Sequence, residues 1–199
     1  LRESEARWQF ALEGAGDGVW DWNVTTGRVF YSYQWKAMLG YEPHEIGDTL
    51  DEWDRRIHPE DRERTYAEIR RHFDGDTPTY ISEHRLRCKD GAYKWILDRG
   101  KIITRTPDGR PERVIGIRSD ITDQKRAEAA LRHSERFLRE AQRIARVGGW
   151  KTNPHSDYLE WTEGVYEIVE APRDYRPGLT EGMKYYLPEY IPIIKDKCA

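Results

Sequence analysis

The chain has 199 residues, 35% of them charged and 37% apolar, with a net charge of −3 at pH 7. No apolar run approaches the roughly 18 residues a membrane helix needs, no Lys/Arg-flanked apolar start marks a secretory signal, and the balanced charge gives no reason to expect nucleic acid. The length corresponds to roughly 1.3 domains, and an aromatic content of 12% argues against disorder.

Residues 1–15 carry Leu1, Trp8, Ala11, Leu12 and Ala15 at helical spacing. Residues 18–24 alternate Val19 and Asp21 with Trp20 and Trp22, a strand pattern. Thr25-Thr26-Gly27 then turns the chain into a second strand over 28–33. Short helices are expected over 34–39, closed by Gly40, over 43–46, and over 51–57. Residues 59–73 form the longest expected helix of this region. Pro59 stands at its first position, and Glu60 and Asp61 sit at its positive end. Asp-Gly turn signals separate three further strand-like runs, 79–88, 92–105 and 112–121. Strands at both ends with helices between them make this an α+β arrangement, one antiparallel sheet with helices on one face.

Residues 123–146 are dense in helix-forming Ala, Arg, Glu and Gln. Gln124, Ala127, Leu131, Ser134, Leu138, Ala141 and Ala145 step by three and four, a heptad stripe. It reads either as a seam for a second helix or as one helix packed on its own domain. Asp120 and Thr122 stand at its start as capping groups.

The chain also repeats itself. Laid over 131–153, residues 1–23 are identical at nine of 23 positions with an offset of 130, among them Gly18/Gly148 and Trp20/Trp150. The correspondence continues with 29–40 over 159–170 and, after a one-residue gap, 57–62 over 186–191. A period of this length is a domain, so 147–199 reads as the first part of a second copy.

Four pieces in order, YSYQWKAMLGY (31–41), IHPEDRER (57–64), EHRLRCKDGAYKWI (83–96) and VIGIRSDITDQK (114–125), resemble a PAS domain with a C-terminal PAC motif. The resemblance implies a five-stranded antiparallel sheet, helices on one face and a cleft between them. It further implies a sensory or dimerising module of a bacterial signalling protein, whose output, a histidine kinase or a cyclic-dinucleotide enzyme, lies outside this chain. The expected organisation is a PAS/PAC domain at 1–122, a signalling helix at 123–146 and a truncated second PAS domain at 147–199.

Chemistry is sparse. Neither His44, His58, His72, His84, His133 and His155 nor Cys88 and Cys198 fall at metal-ligand spacing, so no metal site and no catalytic residue is expected. His133 lacks the sequence context of a phosphoacceptor. Haem-binding relatives use a His on the long helix where Ile69 stands, and light-sensing relatives carry a reactive Cys in the region that reads GDTLDEWDRRIHPED, so haem and covalent flavin are disfavoured. The cleft candidates are Trp35, Met38, Leu39, Trp53, Ile57, Tyr66, Ile69, His84, Leu86, Trp95, Leu97, Ile115 and Ile117; they either line a small-molecule pocket or fill a closed core. Asp120 and Thr122 are the expected relay, and Ala127, Leu131, Leu138, Ala141 and Ala145 the expected homodimer stripe. A ligand-free dimerisation spacer is the competing reading. Sparse cysteine usage favours a reducing cytoplasm.

Overall fold

The computed structural model describes residues 16–152 and 159–193. The helix expected over 1–15 lies outside them, as does most of the run after Tyr190. The chain divides into two compact units, 1–128 and 129–199.

In the first unit, β1 (Gly18–Asn23) and β2 (Arg28–Tyr31) form a hairpin. Three short helical pieces follow: α1 (Tyr33–Met38), a 3-10 turn at Pro43–Glu45, and α2 (Asp51–Asp54). The long helix α3 (Pro59–Phe73) leads into the meander β3 (Tyr80–Arg87), β4 (Tyr93–Arg105) and β5 (Pro111–Asp120). The sheet is antiparallel with order β2-β1-β5-β4-β3, so the last strand returns to pair with the first. Helix α4 (Thr122–Ala145) starts two residues after β5 ends.

The helices are anchored at their ends. Ser32 caps α1 by accepting from Trp35 N, and its hydroxyl also accepts from Val19 N at 2.9 Å, tying helix to strand. At the start of α3, buried Asp61 accepts from Arg85 N at 2.8 Å and from Arg85 Nε at 2.9 Å, which fixes that helix to β3. At its other end, His72 Nδ1 donates to Thr77 O at 2.8 Å and His72 Nε2 accepts from Ile102 N at 3.3 Å.

One face of the sheet packs against these helices around Trp20, Val29, Tyr31, Trp35, Leu39, Ile46, Trp53, Ile57, Leu86, Ile96 and Val114. Trp20 lies flat on the sheet because Gly100 and Gly116 leave it room. A Cβ at Gly100 would stand 2.5 Å from Trp20 Cη2, and one at Gly116 would meet both the indole and Arg99 O.

In the second unit, β6 (Trp150–Thr152) pairs with β7 (Leu159–Trp161), and α5 (Glu163–Ile168) follows. Its registers Trp150↔Trp161, Lys151↔Glu160 and Thr152↔Leu159 are those of Trp20↔Tyr31, Asp21↔Phe30 and Trp22↔Val29 with 130 added. Thr162 accepts from Gly149 N at 2.8 Å where Ser32 accepts from Val19 N at 2.9 Å. A Cβ at Gly148 would stand 2.6 Å from Val165 N, as one at Gly18 would from Trp35 Cα. Glu170, at φ 54°, occupies the left-handed position that Gly40 holds at φ 81°.

Gly116→Ala is expected to lower stability by about 1–3 kcal/mol through overpacking. Urea denaturation of the variant beside the parent chain measures it, and an unchanged midpoint would show that Trp20 does not need the niche.

Candidate functional site

A narrow cavity lies between the inner sheet face and the helices. Trp20, Trp22, Val29, Tyr31, Tyr80 and Val114 line it from the sheet, and Trp53, Ile69, His72 and Phe73 from the helices, with Leu50 and the charged pair Asp98 and Arg118. The space open to the centre of a water-sized sphere is about 40 Å³, above the ~10–15 Å³ that one water needs. Its walls are rings: Trp22 stacks on Phe73 at 5.6 Å, and Trp20 meets Tyr80 edge-on at 6.4 Å.

The polar groups form one buried network. Asp98 and Arg118 are each 2% exposed. Asp98 Oδ1 accepts from Trp20 Nε1 at 2.6 Å, and Oδ2 from Arg118 Nη2. The Arg118 guanidinium lies over the Trp35 ring at 4.6 Å. Trp53 Nε1 donates to His84 Nε2 at 3.3 Å, so the His84 proton sits on Nδ1, which donates to Ser82 Oγ at 3.2 Å. Burial, reinforced by Arg118 and opposed by Asp98, pushes the His84 pKa down to about 4. The imidazole is therefore neutral at pH 7, and its 3.6 Å approach to Asp98 is no ion pair. Burial also raises the Tyr31 and Tyr80 hydroxyls above the usual tyrosine range.

Of the residues expected in the cleft, Trp53 and Ile69 line the cavity. Trp35, Leu39, Ile57, His84 and Leu86 are buried in the packing behind it, and Met38 and Tyr66 lie against that core. Trp95, Leu97, Ile115 and Ile117 point to the other face of the sheet, because the inward positions of β4 and β5 are Ile96, Asp98, Gly100, Val114, Gly116 and Arg118. Both phases of these strands carry apolar residues, so alternation alone does not say which side meets the helices. The glycines do carry a signal: Gly100 and Gly116 pair across the strands, and paired glycines mark a side approached closely by a large group. Asp98 and Arg118 share their phase.

Asp120 and Thr122 meet at the end of β5. Thr122 N donates to Asp120 Oδ1 at 2.9 Å, Trp95 N donates to Thr122 Oγ1 at 3.0 Å, and Lys94 pairs with Asp120 at 2.8 Å. Burial works to raise the Asp120 pKa, but Lys94 and the Thr122 hydrogen bonds outweigh it and hold the carboxyl below its usual value. On α4, Ala127, Leu131, Leu138, Ala141 and Ala145 are all exposed, as are Phe137 and Ile144 one position before Leu138 and Ala145. Among the described residues, no cluster of three or more His, Cys, Asp or Glu could hold a metal, and no helix is long and apolar enough to cross a membrane.

Residues 28–118 match the family described as the PAS fold. A sensory box histidine kinase/response regulator structure from Burkholderia thailandensis is 41% identical, covers 67% of this chain and 98% of that one, and superposes with a TM-score of 0.60. Sensor protein FixL of Bradyrhizobium diazoefficiens is 31% identical over 64% of this chain and 25% of that protein. The probable diguanylate cyclase DgcE of Escherichia coli is 25% identical over 95% of this chain and 17% of that protein. The chain thus spans a quarter or less of these two curated relatives.

His84 makes stability depend on pH in a defined direction. Below its ordinary pKa of 6.5 the unfolded chain takes up a proton that the folded chain refuses until about pH 4. Stability is expected to fall by roughly 3 kcal/mol as pH drops through that window. Urea unfolding of the parent chain and of His84→Gln across the window checks this; identical pH slopes would show that His84 is not the group responsible.

Proposed function

The chain belongs to the PAS fold family, and on that premise we propose that its first unit senses a small molecule in the aromatic cavity and passes the change along β5 to α4. The carrying observation is that one strand does both jobs: Val114 and Arg118 line the cavity, and Asp120, two residues on from Arg118, holds the start of the next helix. A ligand that shifts Arg118 against Asp98 displaces β5 relative to β4, and the Lys94–Asp120 and Trp95–Thr122 contacts register that displacement at the helix start. For the ligand to act as a signal, it must bind the two arrangements with different affinity. Within this reading Trp53 and Ile69 contact the ligand, while Trp35, Leu39, His84 and Leu86 hold the wall behind.

The PAS module is a non-catalytic sensory fold. We place the output, a histidine kinase or cyclic-dinucleotide enzyme as in the relatives, in a segment outside these residues and in the cytoplasm. We read 123–146 as the signalling helix and 147–199 as the opening part of a second PAS domain. Support for the latter is the 130-residue correspondence in strand register, in the Ser32 and Thr162 hydrogen bonds, and in the close approaches at Gly18 and Gly148. The exposed stripe of α4 fits pairing with the same helix of a second copy.

A second reading, a ligand-free dimerisation spacer, is favoured by the small size of the cavity together with that stripe. Mass spectrometry of the purified chain separates the two, a retained small molecule supporting the sensory reading.

Replacing Asp120 and Thr122 together by Ala is expected to abolish stimulus-dependent output of the full-length protein while leaving its sensory unit folded, read by near-UV circular dichroism. Local stability at the helix start should fall by about 1–2 kcal/mol, the worth of a lost cap, seen as faster amide exchange over residues 122–125. Normal signalling by the double variant would overturn the relay.

A further inference from the structure

We infer that the cavity takes an uncharged apolar molecule of about two or three heavy atoms, the size of a dissolved diatomic gas, and excludes both water and ring-sized ligands. The inference rests on the sensory reading of the cavity and adds the chemical class of its ligand.

Size sets the upper limit. About 40 Å³ is open to the centre of a water-sized sphere. One water takes roughly 10–15 Å³ on that measure, so the space holds about three atoms of that size. Chemistry sets the rest. The surface that the cavity presents is almost wholly carbon. Asp98 and Arg118 bound it, but both Asp98 oxygens are taken, one by Trp20 Nε1 and the other by Arg118 Nη2. A buried water needs roughly two to four polar partners, and a cavity without them stays dry and admits apolar guests. An ion would exchange its hydration shell for hydrocarbon.

Hydrogen bonds hold the space open. Trp20 is fixed by Asp98, and Tyr31 by the bond from its hydroxyl to Thr49 O at 3.0 Å. His72 is fixed at both ring nitrogens, by Thr77 O and by Ile102 N. Collapse of these rings into the void would break those bonds. The back wall, Val29, Tyr31, Tyr80 and Val114, is buried, whereas Trp22, Leu50, Ile69 and Phe73 are half-buried. The path from solvent therefore leads past aromatic and aliphatic side chains, which an apolar molecule crosses without leaving a polar group unpaired.

Methyl NMR of the 199-residue chain under dissolved dioxygen tests this, since dioxygen is both an apolar guest of the right size and a paramagnetic probe. Val29 and Val114 line the cavity, while Leu39, Leu86 and Ile96 are equally buried outside it. The methyls of the two valines are expected to gain several-fold more relaxation from oxygen than those of the other three. Val114→Ile adds a methylene to the space, and the excess at Val29 should then fall to the level of the three controls. Val29→Ile, read at Val114, is the second filling variant, with near-UV circular dichroism confirming the fold of each. Benzene, added separately, should shift none of these methyls. Benzene shifts at Val29 and Val114, or an oxygen effect that survives both filling variants, would overturn the inference and leave the cavity standing as a sensory site. Absence of both the oxygen excess and the benzene shifts would overturn the sensory reading with it.

Discussion

The buried pair Asp98 and Arg118 is the constraint around which the first unit is arranged. Two charges at 2% exposure are tolerable only when they neutralise each other and find partners nearby. Asp98 meets its share through Trp20 and Arg118, and Arg118 finds the face of Trp35. Those partners impose further requirements. Trp20 reaches Asp98 only by lying across the sheet, which needs glycine at 100 and 116. Trp35 stays beneath Arg118 only because α1 is pulled onto β1, and there glycine at 18 permits the backbones to approach. His84, a neighbour of the same carboxylate, is kept neutral by burial and turned by Trp53 and Ser82.

This network also explains why the cavity sits where it does. Large rings surround a charged pair that cannot be packed against apolar atoms on every side. The space left over, about 40 Å³, is bounded by both members of that pair and by the rings. The same strand that carries Arg118 ends at Asp120, whose contacts with Lys94 and Thr122 define the first turn of α4. Cavity and helix start are thus joined by a few residues of strand paired with β4, with Gly116 the only glycine of β5.

The second unit has matching local interactions at an offset of 130 without identity of sequence. Thr162 stands 130 residues from Ser32, Val165 from Trp35 and Glu170 from Gly40, and strand register, hydroxyl staple and left-handed turn correspond. Glu170 accepts the strain of a positive φ that glycine avoids.

Much of the architecture was legible in the residues themselves. Helix α3 runs over the span that Pro59, the two acids and the Asp-Gly stop mark out. The strands lie where alternation and turn signals put them, because both periodicities are local and the turn residues act through their own backbone preferences. The PAS fold and its α+β sheet followed from four short motifs in order. The identity of the cavity did not. Trp95, Leu97, Ile115 and Ile117 resemble a core as much as Ile96 and Val114 do, and a strand with apolar residues in both phases does not declare its inward face. That face was decided by contacts between residues far apart in the chain, such as Trp20 with Asp98, 78 positions on. Only packing could show that the charged phase turns inward, since burial of a charge depends on partners that no local pattern contains.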